Sequence, residues 1–176
     1  VEKALEQDGV AGLAKIAPHV ATLRRVTGLA KVNPASEWIR DQIEGGMRKL
    51  VVFAYHREVL QALAVDAARH GIDYACITGD TTNRQNEVDR FQNIGKCRLF
   101  LGQITAAGTG INLTAASDLV LLEPSWVPSD NEQAVMRIHR VGQSNGCLVR
   151  VATLAGSIDE RIQRAVMRKL ETIDQL

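Results

Sequence analysis

The stretch LVVFAYHREVLQALAVDAARHGIDYACI, residues 50–77, decides the fold. LVVF (50–53) is a short apolar run without alternation, as expected of a strand covered on both faces in a parallel sheet. A helical pattern follows, in which Val59, Leu60, Leu63, Ala64 and Ala67 form one apolar stripe and Gly71 ends it. YACI (74–77) then reads as a second strand. Strand alternating with helix implies a three-layer α/β sandwich around a mainly parallel sheet.

The same grammar extends in both directions. RLFL (98–101), DLVLL (118–122) and CLVRVATL (147–154) are further buried strands, and a polar stretch after Thr81 rises to Val88 and Phe91 as a helix. Upstream, Asn33-Pro34 is a cap and first-turn pair for ASEWIRDQIE, which stops at Gly45-Gly46. Residues 1–30 read as one or two helices interrupted near Pro18, so 1–45 form a lead-in rather than a separate domain. At the far end Ser157 and Glu160 make a capping box for a packed helix over 157–176, with Ile158, Ile162, Val166, Leu170 and Ile173 on one face. The reading is a single lobe over 1–176.

Composition bounds the function. The chain has 176 residues, 45% of them hydrophobic, which suits one well-buried domain. No stretch is long or apolar enough to cross a membrane, and no signal peptide is visible. The net charge of +1 gives no global basic field, which argues against strongly non-specific DNA binding but not against a local contact surface. Three scattered cysteines without a C-x-x-C pair count against a disulfide framework or a zinc site and favour an intracellular setting. A chain that opens at Val1 is expected to be a piece of something longer.

EQAVMRIHRVGQ (132–143) carries the chemistry. On a helix, Ala134, Val135, Ile138 and Val141 would be buried, whereas Gln133, Arg137 and Arg140 fall within roughly 60° of one another on another side. Gly142 then breaks the helix and lets Gln143 leave in a new direction. Two guanidiniums side by side repel unless an anion joins them, and a phosphate matches their planar forks. The plain alternative is a solvated helix whose arginines pair with Glu132 or Asp130.

Together with GTGINLTAASDLVLLEPSW (108–126), this segment resembles the C-terminal RecA-like lobe of helicase superfamily two, and most closely its Swi/Snf-type branch of ATP-dependent duplex-DNA translocases. The resemblance runs from LRRVTGLAK (23–31) to the chain's end. It implies that Arg140 is an arginine finger with Arg137 as its companion, and that Gln133 and Gln143 link this patch to the neighbouring lobe. Gly108 and Gly110 would bring backbone close to the nucleotide and the DNA strand. Leu113 stands where a dinucleotide fingerprint needs its third glycine or alanine, so that reading fails. LVVFAYHREVL resembles a motif that meets a DNA phosphate through a helix N-terminus with His56 or Arg57. ITGDTTNRQNEVDRF resembles the next DNA element, where Gly79 allows close approach and Arg84 pairs with phosphate. The resemblance further assigns Thr105, Asn112 and Trp126 to the DNA side. Thr78, Val127 and Glu123 depart from the family's commoner residues.

No G-x-x-x-x-G-K-[ST] loop is present, and Asp159-Glu160 lies in a capping box rather than after a buried strand. The chain is therefore expected to lend its arginine to ATP and Mg held mainly by a first lobe encoded upstream, with duplex DNA and that N-terminal RecA-like lobe as partners. The compact spacing resembles prokaryotic, viral or annealing-helicase members. The setting would be cytoplasm or nucleoid in a prokaryote or virus, and nucleus in a eukaryote. Two other readings stay open: a lobe of a strand-separating helicase, and a non-hydrolysing DNA-binding module.

Overall fold

The computed structural model describes residues 19–107, 110–157 and 159–160. Helix α1 (residues 19–30) runs through a single turn residue, Lys31, into α2 (Val32–Glu44). Then come β1 (Leu50–Ala54), α3 (Arg57–Arg69), β2 (Tyr74–Ile77), α4 (Arg84–Asn93), β3 (Leu99–Gln103) and the short α5 (Ile104–Ala107). Strand β4 (Asp118–Leu121), α6 (Pro128–Val135) and β5 (Leu148–Val151) complete the described elements. The strands form one parallel sheet in the order β2-β3-β1-β4-β5.

β1 is central, and all five of its residues are buried. Its side chains alternate between two cores. Val51 and Phe53 join Phe91 of α4, Phe100, Leu119, Leu113 and Ile138 on one face. Leu50 and Val52 join Ile39 of α2, Leu60 and Leu63 of α3, and Val120 on the other. This is the expected α/β sandwich, with α4 and α6 below the sheet and α2 and α3 above.

Three local expectations need correction. β2 and β5 are edge strands and are not covered on both faces: β2 buries Ala75 and Ile77 but only half-buries Tyr74 and Cys76, and β5 leaves Leu148 and Val151 exposed. Asn33 is not a cap: α2 already starts at Val32, because the Ala35 amide bonds to the Lys31 carbonyl at 2.9 Å and keeps the turn helical. Pro34 fits there because a first-turn residue needs no amide donor. The Ser157/Glu160 cap is displaced by one residue: Ser157 Oγ accepts from the Asp159 amide at 3.1 Å, and Glu160 Oε1 from the Gly156 amide at 3.1 Å. The lead-in helix before residue 19 and the apolar stripe Ile158, Ile162, Val166, Leu170 and Ile173 lie outside the described residues.

Candidate nucleotide and DNA interface

The segment bearing Arg137 and Arg140 is not the continuous helix that its sequence suggested. α6 ends at Val135, and the Arg137 and Ile138 amides bond three residues back, to Ala134 (3.2 Å) and Val135 (3.1 Å). The Arg137 carbonyl takes the Leu113 amide at 2.9 Å, which fixes the turn against the preceding loop. Val141, expected in the core, is consequently 98% exposed, while Ala134 and Ile138 are buried as expected. Arg137 is half-buried and Arg140 exposed, and the two guanidiniums remain close enough to interact. Their proximity is felt electrostatically. Burial lowers the Arg137 pKa, and the Arg140 charge lowers it further.

Arg140 is exposed and forms no ion pair among the described residues. Asp130, one of the plain alternative partners, instead accepts from Ser125 Oγ at 2.8 Å. Gln133 is also exposed. Gln143 points inward: its amide nitrogen donates to the carbonyls of Ala116 (2.8 Å), Thr114 (3.2 Å) and Ile138 (3.2 Å). With the Leu113–Arg137 bond, it ties the arginine turn to the glycine loop. In that loop Gly110 has φ +77°, a backbone region closed to most side chains. Asn112 is exposed and its side chain accepts from the Thr114 amide at 3.2 Å. Gly108 lies outside the described residues.

The residues assigned to DNA gather at the carboxyl ends of the strands, where α/β sheets bind ligands. His56 follows β1 and caps α3; its amide donates to Glu123 Oε2 at 3.0 Å and its Nδ1 lies 2.8 Å from Glu123 Oε1. Arg57 is exposed and pairs with Asp80. The Gly79 amide donates to Gln103 Oε1 at 3.0 Å, and Gln103 Nε2 donates to the Tyr55 carbonyl at 3.2 Å. Arg84 Nη1 donates to the Ala106 carbonyl at 3.0 Å, so part of its guanidinium is committed to α5. Thr105 is exposed on α5, and Trp126 is half-buried beneath the Arg24 guanidinium, 5.6 Å from its ring centroid.

Sequence reasoning missed what holds this edge in place. Arg24, Thr27, Gly28 and Lys31 turn inward from α1. Arg24 stacks over Tyr55 at 4.5 Å and donates to the Pro124 carbonyl at 2.8 Å. Its pKa is lowered by burial, an effect opposed by the nearby Glu123 charge. Lys31 pairs with Asp159 at 2.6 Å and donates to the carbonyls of Leu122 and Ala152. Gly28 is pressed against Glu123: a Cβ there would stand 2.1 Å from Glu123 Oε1. Apolar periodicity gave no signal of this face, because Leu23, Val26 and Leu29 of the same helix are the exposed residues.

Comparison with known proteins gives the family. Residues 34–142 match the model of the helicase conserved C-terminal domain. The chain belongs to that family. It is 30% identical over 151 residues to a SWI/SNF-related matrix-associated actin-dependent regulator of chromatin subfamily A-like protein 1 from Xenopus tropicalis, covering 85% of this chain and 16% of that protein. It is 33% identical over 127 residues to the DNA repair protein RAD5A of Arabidopsis thaliana (71% of this chain, 12% of that protein). It is 27% identical over 172 residues to the human DNA annealing helicase and endonuclease ZRANB3 (97% and 16%). A crystal structure of the C-terminal part of the Fun30 ATPase domain superposes with a TM-score of 0.71 at 25% identity, covering 77% of this chain and 44% of that one. The chain is the C-terminal RecA-like lobe of a Swi/Snf-type superfamily-two helicase, and it spans less than a fifth of each of these full-length relatives.

Proposed function

We propose that this lobe is half of an ATP-dependent double-stranded-DNA translocase. In this reading Arg140 reaches across to the γ-phosphate of ATP bound mainly by an N-terminal RecA-like lobe, with Arg137 beside it. The observation that carries it is the build of the arginine turn. An exposed Arg140 stands against a half-buried Arg137, and the turn is pinned to the glycine loop by Leu113–Arg137 and by Gln143. Two like charges so held favour an anion with several oxygens. Bound ATP would supply the phosphoryl group whose transfer to water drives the motion. In this reading Mg, like ATP, is held mainly by the first lobe.

The strand-end cluster of His56, Arg57, Gly79, Arg84, Thr105, Asn112 and Trp126 is then this lobe's part of the DNA grip. Grip by phosphate contacts makes binding sensitive to salt and nearly indifferent to sequence. Closure of the two lobes on ATP and their release on hydrolysis would step the protein along the duplex.

The test is ATP hydrolysis by the full-length protein, with and without duplex DNA, in wild type and Arg140→Ala. Loss of an arginine finger lowers the rate by about 10³–10⁵-fold. The expected result is a duplex-stimulated rate that collapses in the variant while ATP binding persists. Unchanged hydrolysis would overturn the finger assignment. Stimulation by single strands or RNA above duplex would favour a strand-separating helicase, and no hydrolysis in wild type a binding module.

A further inference from the structure

We propose that His56 and Glu123 form a proton-coupled phosphate clamp, in which the imidazole takes up a proton when it grips a DNA phosphate and the buried Glu123 carboxylate is its counter-charge. This rests on the reading of the strand ends as a DNA surface and adds the chemistry by which one contact works.

Glu123 is 4% exposed, and both of its oxygens are aimed at His56. An ionised carboxylate only accepts hydrogen bonds, so the ring nitrogen facing it, Nδ1, carries the proton. The other nitrogen, Nε2, bonds to none of the described residues, and it is not among their buried, unsatisfied polar atoms. It therefore meets solvent. In the neutral ring Nε2 is a lone pair, which a phosphate oxygen repels. Only the imidazolium, protonated from solvent at Nε2, can donate to that oxygen. Histidine is the side chain whose charge changes most readily near neutral pH.

The surroundings are arranged so that the second anion decides the outcome. From α1, the Arg24 guanidinium lies near enough to Glu123 to feel its charge, a second cation beside the same carboxylate. Asp159 lies beyond Arg24 and moderates that charge. The Tyr55 ring meets His56 edge-on, with centroids 5.3 Å apart, and Arg57 is engaged by Asp80. Glu123 itself cannot retreat, because Gly28 of α1 packs directly against it. A phosphate arriving at Nε2 adds a negative charge on the far side of the ring, and the ring is then clamped between two anions.

The experiment measures duplex affinity of the full-length protein against pH at fixed salt, together with proton uptake by calorimetry in buffers of different ionisation enthalpy. Wild type, His56→Gln and Glu123→Gln are compared. Linkage of one proton makes affinity fall by up to about tenfold per pH unit as pH rises. The expected result is that slope and net proton uptake in wild type, with both abolished in His56→Gln. Glu123→Gln keeps an acceptor for the His56 amide but removes the counter-charge, so it should bind duplex more weakly than wild type at the same pH. Tight duplex binding without proton uptake, or with the same slope in His56→Gln, would overturn the clamp and leave the DNA reading standing. Absence of salt-sensitive duplex binding at every pH, in wild type as well, would overturn the DNA reading and the clamp with it.

Discussion

Two regions of the lobe hold charged groups in opposite ways. Around Glu123 and Lys31, at the strand ends, charges are buried and paired: Lys31 with Asp159 at 2.6 Å, Glu123 with His56, and Arg24 on carbonyl and aromatic partners. In the arginine turn, charge is displayed. Backbone bonds and one glutamine hold the turn, and the Arg140 head stands in solvent. Where side-chain pairs carry the structure, a substitution costs stability. Where the backbone carries it, a side chain is free to serve chemistry and its loss costs activity.

The sharpest way to break this comparison is Asp159→Ala. Lys31 and Asp159 are 5% and 9% exposed in their side chains, so the substitution leaves a buried ammonium with only the Leu122 and Ala152 carbonyls. Removing one partner of a buried pair costs about 3–5 kcal/mol, read by denaturant unfolding. Replacing both residues, Lys31→Met with Asp159→Ala, should recover a large part of that loss. A single-variant cost no greater than that of a surface substitution would mean the network is ornamental.

Next in size is Gly28→Ala. Its new Cβ would meet Glu123 Oε1 at 2.1 Å and Cδ at 2.7 Å, with Val59 Cγ2 at 3.1 Å behind it. Overpacking of this kind costs about 1–3 kcal/mol. Because the clash is with Glu123, the effect should be strongly non-additive with Glu123→Gln in a double-mutant cycle. Additive effects would show that the helix shifts as a body and spares the carboxylate.

Legibility in the sequence followed the range of the forces involved. LVVF, the Val59 to Ala67 stripe and YACI matched β1, α3 and β2 closely, because burial and periodicity there are properties of contiguous residues. The helix through Arg140 was misread because the chain turns after Val135 and is held there by a tertiary contact, the Leu113 amide on the Arg137 carbonyl, from a loop over twenty residues upstream. Likewise Arg24 and Lys31 could not be placed, because their partners Pro124, Ala152 and Asp159 are brought near only by tertiary folding. Glu123 could be noticed as a departure from the family's usual residue. Its grip on His56 could not.

A smaller effect sharpens the comparison from the other side. Gln143→Ala removes a donor from the carbonyls of Thr114, Ala116 and Ile138. Solvent can reach this half-buried site, so the cost should be about 1 kcal/mol, at the low end for unmade hydrogen bonds. ATP hydrolysis should fall along with stability, since the arginine turn loosens. A loss of hydrolysis with an unchanged unfolding midpoint would instead place Gln143 in contact with the neighbouring lobe, as its resemblance to the family implies.

The least perturbing substitution for the fold should be Arg140→Ala, and that is what makes it informative. The Arg137 guanidinium is disfavoured first by burial and then by the Arg140 charge, so removing Arg140 relieves a repulsion rather than breaking a bond. The unfolding midpoint should stay where it is or rise slightly, most visibly at low salt, where the repulsion is least screened. A fall in the midpoint would show that Arg140 holds the turn together, and the contrast between a paired strand edge and a displayed arginine would fail. A midpoint that is constant or higher, in a variant that no longer hydrolyses ATP, would mean that the lobe bears this repulsion at rest for a charge it meets only in the working complex.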